Sequence, residues 1–360
     1  MAPSSGLTRR AIQFTAPGDV RVVEEDLASP GPGDVLVETT VSAVSPGTET
    51  LIYRGNAPAG AVDPSIDALD GEMAFPLTYG YCAVGRVVET GSDVASEWLG
   101  RRVFSFQPHV SAFVARPADL IPLPDATRDR DAVLIPNLET AVTFVMDGRP
   151  MIGEEVVIFG QGVVGLLTTA LVSRFPVSSL LTVEPEETRR KRSEDVGAHA
   201  SFDPQGDLAE LRAALNIDRS DAVPVEDGHY EGADLVYELS GQPAALDDAL
   251  SITGFDGRII VGSWYGTKRA PINLGERYHR SRISIQSSQV STLSPDLQGR
   301  WSKNRRMQTV LRLLDSVRPG QLVSDIVPVD EAPAVYERLA AGDPELLQPV
   351  FRHRDSADGA

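Results

Sequence analysis

A glycine-rich turn near the middle of this 360-residue chain constrains its fold more than any other segment. An apolar run of strand length, 155–159, leads into it, and an apolar run of helical length follows. In a βαβ unit the first glycine of such a turn allows a tight bend, the second lets the backbone approach a pyrophosphate, and the third lets helix and strand pack closely. The turn therefore predicts a dinucleotide site with helix N–H groups facing the phosphates. Its members are Gly160, Gln161, Gly162, Val163, Val164 and Gly165.

A carboxylate at the end of the next predicted strand indicates which dinucleotide would bind. Glu184 stands where an acidic side chain accepts hydrogen bonds from both ribose hydroxyls of the adenosine half, which favours NAD over NADP. Arg189, Arg190 and Lys191 follow closely, and one of these cations could instead meet a 2′-phosphate, so NADP remains an alternative. A glycine-rich turn that binds no ligand, with a solvated charge run behind it, is a further interpretation. Ser240 and Gly262 end two later strands, where an open parallel sheet keeps its ligand crevice, and are further candidate cofactor contacts.

The pattern of the sequence changes near residue 132. Over 9–132 it consists of short alternating runs punctuated by Gly and Pro, which predicts a β-rich domain. Over 156–261 strands alternate with segments of helical length, which predicts βαβ units and a parallel sheet covered on both faces. Two stretches without clear periodicity, 54–76 and 218–232, predict long surface loops.

Acidic residues dominate the charge. Asp and Glu total 51 against 33 Lys and Arg, so the formal net charge is −18, and only three of the bases are lysine. Such a surface repels nucleic acids and anionic lipids. A dense acidic shell with little lysine resembles proteins from salt-loaded cytoplasms, where high ionic strength screens the self-repulsion. An acidic enzyme encoded by a lysine-poor genome is the alternative.

The single cysteine, Cys82, excludes an intramolecular disulfide and any zinc or iron–sulfur site built from several cysteines. It fits a reducing cytoplasm. The longest apolar stretch, 156–172, is interrupted by glycines and threonines, so a strand, turn and helix explain it better than a membrane span. We therefore predict a soluble, cytoplasmic protein without a membrane or nucleic-acid partner.

Several motifs resemble the medium-chain dehydrogenase/reductase superfamily over nearly the whole chain. They are 42–49 (SAVSPGTE), 80–87 (GYCAVGRV), 137–141 (NLETA), 287–290 (SSQV) and Arg300-Trp301. Within the superfamily they are similar to the branch that contains bacteriochlorophyllide a dehydrogenase. The resemblance implies an α/β protein with a GroES-like, β-rich catalytic domain, 1–132 and 291–360, and a Rossmann domain with a doubly wound parallel sheet, 133–290. It also implies a homodimer, and it adds Thr140 and Ser287 to the candidate cofactor contacts.

The departures from this superfamily concern the metal. Zinc-containing members place a Cys where Ser45 aligns and a His-Glu pair where this chain has Tyr81-Cys82. Near Asn137, where another ligand usually lies, the matching position holds no Cys, His or acid, and the lobe of four cysteines found in many members is absent. A catalytic zinc with an open position needs three protein ligands. We therefore predict that the protein binds no zinc.

Without a metal, the alkoxide that develops during hydride transfer needs a hydrogen-bond donor or a general acid. Tyr81 is the leading candidate, because the superfamily places this position beside the nicotinamide and a phenol can donate a proton. Ser45, Thr48 and Glu49 on the adjacent segment, expected to be a loop, could relay a proton or hold a substrate hydroxyl. The alternatives are a Tyr81 packed under the sheet, and Ser45 and Thr48 as caps of a local turn. Cys82 is expected to be a small buried hydrophobe rather than a nucleophile.

A small-molecule substrate, for which an anionic group is one option, would need contacts of its own. The candidates are His109, the only histidine of the predicted front domain, and Arg300, Trp301 and Arg305, beside which Arg306 also lies. Arginines can bind an anionic group bidentately. The alternatives are a structural His109, and a Trp301 that anchors its helix while the arginines pair with surface acids.

These inferences predict a zinc-independent, NAD(P)-dependent oxidoreductase that moves hydride between the nicotinamide and a secondary alcohol/ketone pair. An NAD(P)H-dependent enone or quinone reductase, which reduces an activated C=C bond and must stabilise an enolate, is the first alternative. A cofactor-binding sensor without turnover is the second.

Overall fold

The computed structural model describes residues 6–58, 60, 72–206, 208–217 and 231–354, so most of the loop predicted at 54–76 and of that at 218–232 lies outside the described residues. The chain divides into two compact units. One, the β-rich unit, comprises Met1–Pro136 and Leu314–Ala360, and the other comprises Asn137–Leu313. Among the described residues, no helix is long and apolar enough to span a bilayer.

The helices and strands of the described residues follow in chain order. The first half contains β1 (Leu7–Ala16), β2 (Asp19–Leu27), β3 (Val35–Ala43), α1 (Pro46–Tyr53), β4 (Leu77–Thr78), β5 (Ala83–Thr90), β6 (Arg102–Ser105), β7 (Ala112–Ala115), β8 (Ile121–Pro122), α2 (Asp129–Ala132), α3 (Ile135–Gly148), β9 (Glu155–Phe159), α4 (Val163–Val172) and β10 (Ser179–Val183). The second half contains α5 (Glu187–Asp195), β11 (Ala200–Phe202), α6 (Leu208–Ala214), β12 (Ala233–Glu238), α7 (Ala245–Ile252), β13 (Thr253–Val261), α8 (Arg277–Arg280), β14 (Ser284–Ser287), α9 (Lys303–Val317), β15 (Asp325–Pro328), α10 (Ala332–Ala341) and β16 (Pro349–Arg352).

Two sheets build the described part of the β-rich unit, in the orders β2-β1-β4 and β15-β16-β3-β5-β6-β8, with β7 also paired to β3. The C-terminal strand β16 runs antiparallel to β3, with Phe351 opposite Ser42. The aromatic rings of Phe14 and Phe351 pack on Tyr336 of α10, at centroid distances of 5.0 and 6.0 Å. Burying these rings links the two ends of the chain, because each ring removes a large apolar area from water.

The segment after β3 is a helix, α1, and not the loop expected from the sequence. Pro46 occupies the start of the helix, where its fixed φ is already helical and its missing N–H costs nothing. The Ser45 side chain makes no capping hydrogen bond. Instead, Glu49 Oε1 accepts the backbone N–H of Ser45 at 2.7 Å. Ser45 thus precedes the first turn, and Thr48 and Glu49 lie within the helix.

The second unit is a parallel sheet, for which the described strands have the order β11-β10-β9-β12-β13-β14. This is the strand order of a doubly wound dinucleotide-binding sheet, with the switch point between β9 and β12, so we refer to it as the Rossmann unit. Successive residues of β9 enter different cores: Val157 packs in one apolar cluster and Val156 in another. Burial on both faces explains the continuous apolar run that the sequence shows there.

The unit boundaries differ from the predicted domains at both ends: the segment 291–313 belongs to the Rossmann unit and not to the catalytic domain, and residues 133–136 belong to the β-rich unit. The larger difference is that of 291–313. A buried ion pair explains the difference, because Arg306 Nη2 donates to Glu139 Oε1 at 2.8 Å and to the carbonyl of Val290 at 2.8 Å. Both charged side chains are more than nine-tenths buried. The start of α9 is therefore tied to α3 within this unit.

Candidate active site

The glycine turn of the Rossmann unit forms an open cradle at the N-terminus of α4. Gly160 has φ +86°, and a Cβ there would lie 2.5 Å from the Cα of Ser240. A Cβ on Gly165 would lie 2.0 Å from the carbonyl oxygen of Gly160, so helix and strand meet at backbone distance. A Cβ on Gly162 would meet no atom within 4 Å. The turn is thus closed from behind and open in front of Gly162, which fits a pyrophosphate approaching the helix N-terminus.

Gln161, a predicted cofactor contact, turns its side chain inward. Its amide oxygen accepts the Thr169 hydroxyl at 3.0 Å, and its amide nitrogen lies 3.4 Å from the carbonyl of Ile158. The side chain is completely buried. Gln161 therefore stabilises the turn, and what it offers toward a ligand is backbone.

Glu184 lies beside the cradle, as the sequence predicts. Its carboxylate accepts the N–H of Gln161 at 2.7 Å and the N–H of Glu186 at 3.2 Å. Because an ionised carboxylate has about four acceptor sites, these two bonds leave capacity for ribose hydroxyls. The side chain is thereby oriented before any ligand arrives.

The three cations behind Glu184 have different surroundings. Arg190 donates to the carbonyls of Glu184 and Pro185, at 2.8 and 2.6 Å. Lys191 pairs with Glu187 at 2.6 Å. Arg189 is half-buried, and its buried Nε has no hydrogen-bond partner among the described residues. Of the three, Arg189 is therefore the best placed to meet a 2′-phosphate.

A buried acid that no motif of the sequence indicates lies at the end of β12. Glu238 Oε1 accepts the N–H of Ser240 at 2.9 Å and also its hydroxyl, while Oε2 accepts the hydroxyl of Tyr265. Burial, together with Glu238, raises the pKa of Tyr265. Ser240 is thus held by Glu238. The predicted contact Gly262 has a packing reason of its own, because a Cβ there would lie 2.3 Å from the ring of Phe144.

The remaining predicted cofactor residues lie on three different elements of the Rossmann unit. Val163 is buried and Val164 half-buried in α4. Thr140 is half-buried in α3, and Ser287 is exposed on β14. Their roles stay predictions.

In the β-rich unit, the Tyr81 hydroxyl donates to Ser45 Oγ at 2.6 Å. Burial raises the pKa of Tyr81 above its ordinary value, and neighbouring Cys82 and Glu49 act in the same direction, while hydrogen bonds with Ser45 and Thr48 oppose them. The phenol is therefore a neutral donor over the physiological range. The structure brings together all four residues predicted to be catalytic: Tyr81, Ser45, Thr48 and Glu49.

Glu49 and His109 lie in the interior, which contradicts two of the predicted roles. Both side chains are completely buried, and His109 Nε2 lies 3.0 Å from Glu49 Oε2. The His109 ring also packs so closely on Gly80 that a Cβ there would lie 2.7 Å from it. His109 is therefore a structural histidine and not a substrate contact, and Glu49 has no surface with which to hold a substrate hydroxyl. The expected burial of Cys82 is confirmed.

The arginines near Trp301 do not form one patch. Arg305 stacks over the Trp301 ring at 4.2 Å and donates to the carbonyl of Arg300. Arg306 is buried against Glu139 instead. Arg300, Trp301 and Arg305 remain candidates for an anionic substrate group, without Arg306.

The positions that align with zinc ligands hold poor metal donors. The Tyr81 hydroxyl donates a hydrogen bond to Ser45. Cys82 is a buried thiol, and burial, followed by the charge of Glu49, raises its pKa well above the ordinary value. Within the described ranges, no three His, Cys, Asp or Glu residues lie close enough together to hold a metal. The residues of this site do not fit a catalytic zinc.

Comparison with known proteins tests the fold and the class of enzyme. No protein-family model matches the chain. The D-guloside 3-dehydrogenase of Escherichia coli (strain K12) is 25% identical over 347 residues, covering 92% of this chain and 96% of the relative. The L-threonine 3-dehydrogenase of Pyrococcus horikoshii is 26% identical over 291 residues, covering 72% of this chain and 76% of the relative.

Solved structures match over almost the whole length. The rspB alcohol dehydrogenase of Escherichia coli CFT073, complexed with NADH, gives a TM-score of 0.74 at 16% identity and covers 96% of this chain and 100% of that chain. A dehydrogenase of Sinorhizobium meliloti 1021 bound to NADP gives a TM-score of 0.71 at 19% identity and covers 96% of this chain and 99% of that chain. The chain therefore has the same fold as these dehydrogenase structures.

The predicted fold class, a GroES-like domain with a Rossmann domain, is thereby confirmed. The prediction of an alcohol-dehydrogenase-like oxidoreductase is also confirmed, and the comparisons support the medium-chain dehydrogenase/reductase superfamily. The closer resemblance to the bacteriochlorophyllide a dehydrogenase branch stays a prediction.

Proposed function

We propose that this protein moves hydride between NAD(P) and a secondary alcohol/ketone pair without a catalytic zinc. The observation that carries the proposal is the hydrogen bond from Tyr81 to Ser45, at 2.6 Å. This bond orients a neutral phenol. Tyr81 and Ser45 occupy positions at which the zinc-containing members of the medium-chain dehydrogenase/reductase superfamily have metal ligands. A donor of this kind can replace a Lewis acid at the developing alkoxide.

The cofactor would be held by the Rossmann unit. The open space at Gly162 would receive the pyrophosphate, and Glu184 would accept the ribose hydroxyls, which favours NAD. Arg189 keeps NADP as an alternative. When bound, the nicotinamide supplies or accepts the hydride.

Tyr81 performs the proton step. In the reductive direction, the Tyr81 hydroxyl turns from Ser45 to the substrate carbonyl oxygen. Hydride reaches the carbonyl carbon, the carbonyl π pair moves to oxygen, and the Tyr81 O–H bond breaks as its proton passes to that oxygen. Ser45 then donates its own hydroxyl proton as a hydrogen bond to the tyrosinate, and water returns a proton to Tyr81. Oxidation is the reverse, with the tyrosinate as base.

The names of the relatives support the substrate class. Both are 3-dehydrogenases, one of a D-guloside and one of L-threonine, and position 3 of each compound carries a secondary alcohol. We propose a polar small molecule with such a group. The arrangement of Arg305 over Trp301 supports an anionic substituent.

The setting of this activity is also a proposal. A reducing cytoplasm agrees with a single, buried cysteine, and the acidic surface agrees with a partner that is neither nucleic acid nor membrane. Exposure of every residue of the edge strand β14 supports a homodimer joined there.

A substrate panel with Tyr81→Phe tests the proposal. Gulosides, L-threonine, 2,3-butanediol, their ketones and simple enones are offered with NAD(H) and NADP(H), at low salt and in molar KCl. Tyr81→Phe should lower kcat by about 10²–10⁴-fold, because the proton donor is lost, with cofactor affinity unchanged. The control Tyr53→Phe changes a buried phenol of the same unit and should retain activity. Unchanged turnover in Tyr81→Phe would remove this residue from the reaction, and reduction of enones with the carbonyl left intact would indicate a C=C reductase.

Metal analysis tests the absence of zinc independently. The purified protein should contain less than one zinc per chain, and chelators should leave turnover unchanged. Stoichiometric zinc whose removal abolishes turnover would overturn the metal-free mechanism.

A further inference from the structure

A buried chain of hydrogen bonds in the β-rich unit ends on Glu49. Its carboxylate accepts from donors on three different segments: the Ser45 N–H at 2.7 Å, His109 Nε2 at 3.0 Å, and the hydroxyl of Tyr336 at 2.5 Å. On the far side of the imidazole, His109 Nδ1 lies 2.7 Å from Ser42 Oγ, which lies 2.8 Å from His353 Nε2. These three donors replace the water that a carboxylate loses on burial.

Each hydrogen bond of this chain has one donor and one acceptor when both histidines are neutral. His353 Nε2–H donates to Ser42, the Ser42 hydroxyl donates to His109 Nδ1, and His109 Nε2–H donates to Glu49, an assignment made from the hydrogen bonds. This leaves a lone pair on His353 Nδ1, which is buried without a partner among the described residues. A bare acceptor is tolerated better there than an unpaired N–H. Burial also lowers the pKa of His353 to about 3, so this ring stays neutral.

We propose that Glu49 is a positioning residue for the Tyr81–Ser45 pair: its carboxylate fixes the backbone of Ser45 at the start of α1, and Ser45 in turn holds the Tyr81 hydroxyl. The charge of the same carboxylate adds to burial in disfavouring ionisation of Tyr81. This inference rests on the proposed function. Glu49 touches neither cofactor nor substrate, since it is completely buried. It acts through Ser45, to which Tyr81 donates.

The kind of donor around Glu49 is what makes its charge effective. A salt bridge to Arg or Lys would stabilise the carboxylate but would cancel its field at Tyr81. Neutral donors stabilise the anion and leave its charge uncompensated in a medium of low dielectric. The groups that face it from the packed segments are His109, Tyr336, Tyr81, Cys82 and Ser45. Burial raises the pKa of Cys82 well above its ordinary value, so the thiol adds no negative charge in the neutral range.

Glu49→Gln tests the charge while keeping the shape. The amide oxygen can still accept the Ser45 N–H, and the amide N–H groups can donate to His109 Nε2 and the Tyr336 oxygen. With tyrosine labelled by ¹³C at Cζ, and the Tyr81 resonance assigned through Tyr81→Phe, NMR follows the phenol directly and needs no substrate. The Tyr81 pKa should be lower in Glu49→Gln than in the native protein. An unchanged Tyr81 titration would overturn the proposal.

Asp131→Asn is the matched control. Asp131 is also a buried acid of this unit, which accepts the Gly320 N–H at 2.8 Å and pairs with Arg128 at 2.6 Å. Asp131→Asn should leave the Tyr81 titration as it is in the native protein. A shift of equal size in both variants would assign the effect to loosened structure and overturn the role of Glu49.

Glu49→Asp tests the positioning half. It keeps the charge but is one methylene shorter, so it loses the bond to Ser45. It should lower kcat by about tenfold with KM nearly unchanged, because a small misplacement of a reacting group is costly, while the Tyr81 titration stays high. Native kcat in Glu49→Asp would overturn this half.

Two measurements keep this proposal separate from the proposed function. Should Glu49→Gln fail to fold, ¹³C labelling of the glutamate carboxyl carbons in the native protein shows whether Glu49 is ionised at neutral pH, and a protonated Glu49 would overturn the proposal. In the Tyr81→Phe background, Glu49→Asp should cause no further loss of kcat. If Tyr81→Phe itself retains full activity, the proposed function fails, whatever the Tyr81 titration shows.

Discussion

The cofactor cradle and the Glu49 network are built from the sequence in opposite ways. The cradle is largely local: the glycine turn and Glu184 lie within 160–184, and the hydrogen bond that orients Glu184 joins residues 23 positions apart. The Glu49 network joins α1 to His109 and to Tyr336, which is 287 positions away. The cradle provides a binding surface for a phosphate through backbone geometry, whereas the network provides a charge whose value depends on burial. Local patterns therefore predict where a cofactor goes, and long-range packing decides how the acid–base group behaves.

Breaking a long-range ion pair should have the largest effect on stability. Arg306→Met leaves Glu139 buried without its partner, and losing one member of such a pair costs about 3–5 kcal/mol. Burial already raises the pKa of Glu139, and Arg306 opposes that rise. Urea unfolding at neutral pH measures the loss of unfolding free energy.

An exposed pair serves as the control for this comparison. Arg149→Met removes a salt bridge to Asp296 at 3.1 Å whose side chains are both largely exposed, and it should cost at most about 1 kcal/mol. The double variant Glu139→Gln/Arg306→Met should regain part of the loss, since no buried charge remains. Equal losses in Arg306→Met and Arg149→Met would show that burial adds nothing to this contact.

The cradle should respond differently at two of its glycines. Gly165→Ala forces a Cβ to within 2.0 Å of the Gly160 carbonyl, so the turn must open, at a cost of about 1–3 kcal/mol with loss of cofactor binding. Gly162→Ala points its methyl into open space, so stability should stay within about 0.5 kcal/mol while the cofactor Kd rises. Thermal unfolding and titration of NADH fluorescence measure both. Native affinity in Gly162→Ala would place the pyrophosphate elsewhere.

Much of the fold could be predicted from the sequence because buried helices and strands have characteristic patterns of apolar residues. The apolar run of β9 and the glycine turn predict the first βα unit, and β10, β12 and β13 follow the same pattern. By contrast, the sequence predicts a loop where α1 forms, because Pro46 and Gly47 favour a turn when only local propensity is considered. Pro46 in fact lies at the start of the helix. The carboxylate of Glu49 accepts the backbone N–H of Ser45, which precedes the first turn.

The candidate catalytic residues could be located from the sequence, but the hydrogen bonds that hold them in place could not. The motif containing Ser45 and that containing Tyr81 point to one site, since both align with former metal positions. Nothing in the spacing indicates that His109 lies under Gly80 or that Tyr336 reaches Glu49. Such contacts depend on how β16 and α10 return to β3, and on burial that leaves no local signal. The same holds for Arg306, whose exposed neighbours suggest a surface patch.

Glu184 lies between these two cases, and its substitution should have the smallest effect. A local rule predicts its position, but its orientation comes from the N–H of Gln161. Glu184→Gln keeps an acceptor for that N–H and removes the charge, so the turn survives while the charged hydrogen bonds to the ribose weaken. One such bond is worth about 1.5–3 kcal/mol, so NAD should bind roughly tenfold more weakly. NADP should lose less, because a carboxylate repels its 2′-phosphate. Glu187→Gln, at an exposed acid paired with Lys191, should change neither affinity. Equal losses of NAD and NADP affinity in Glu184→Gln would mean that Glu184 supports the turn alone, and the cofactor preference would then depend on Arg189.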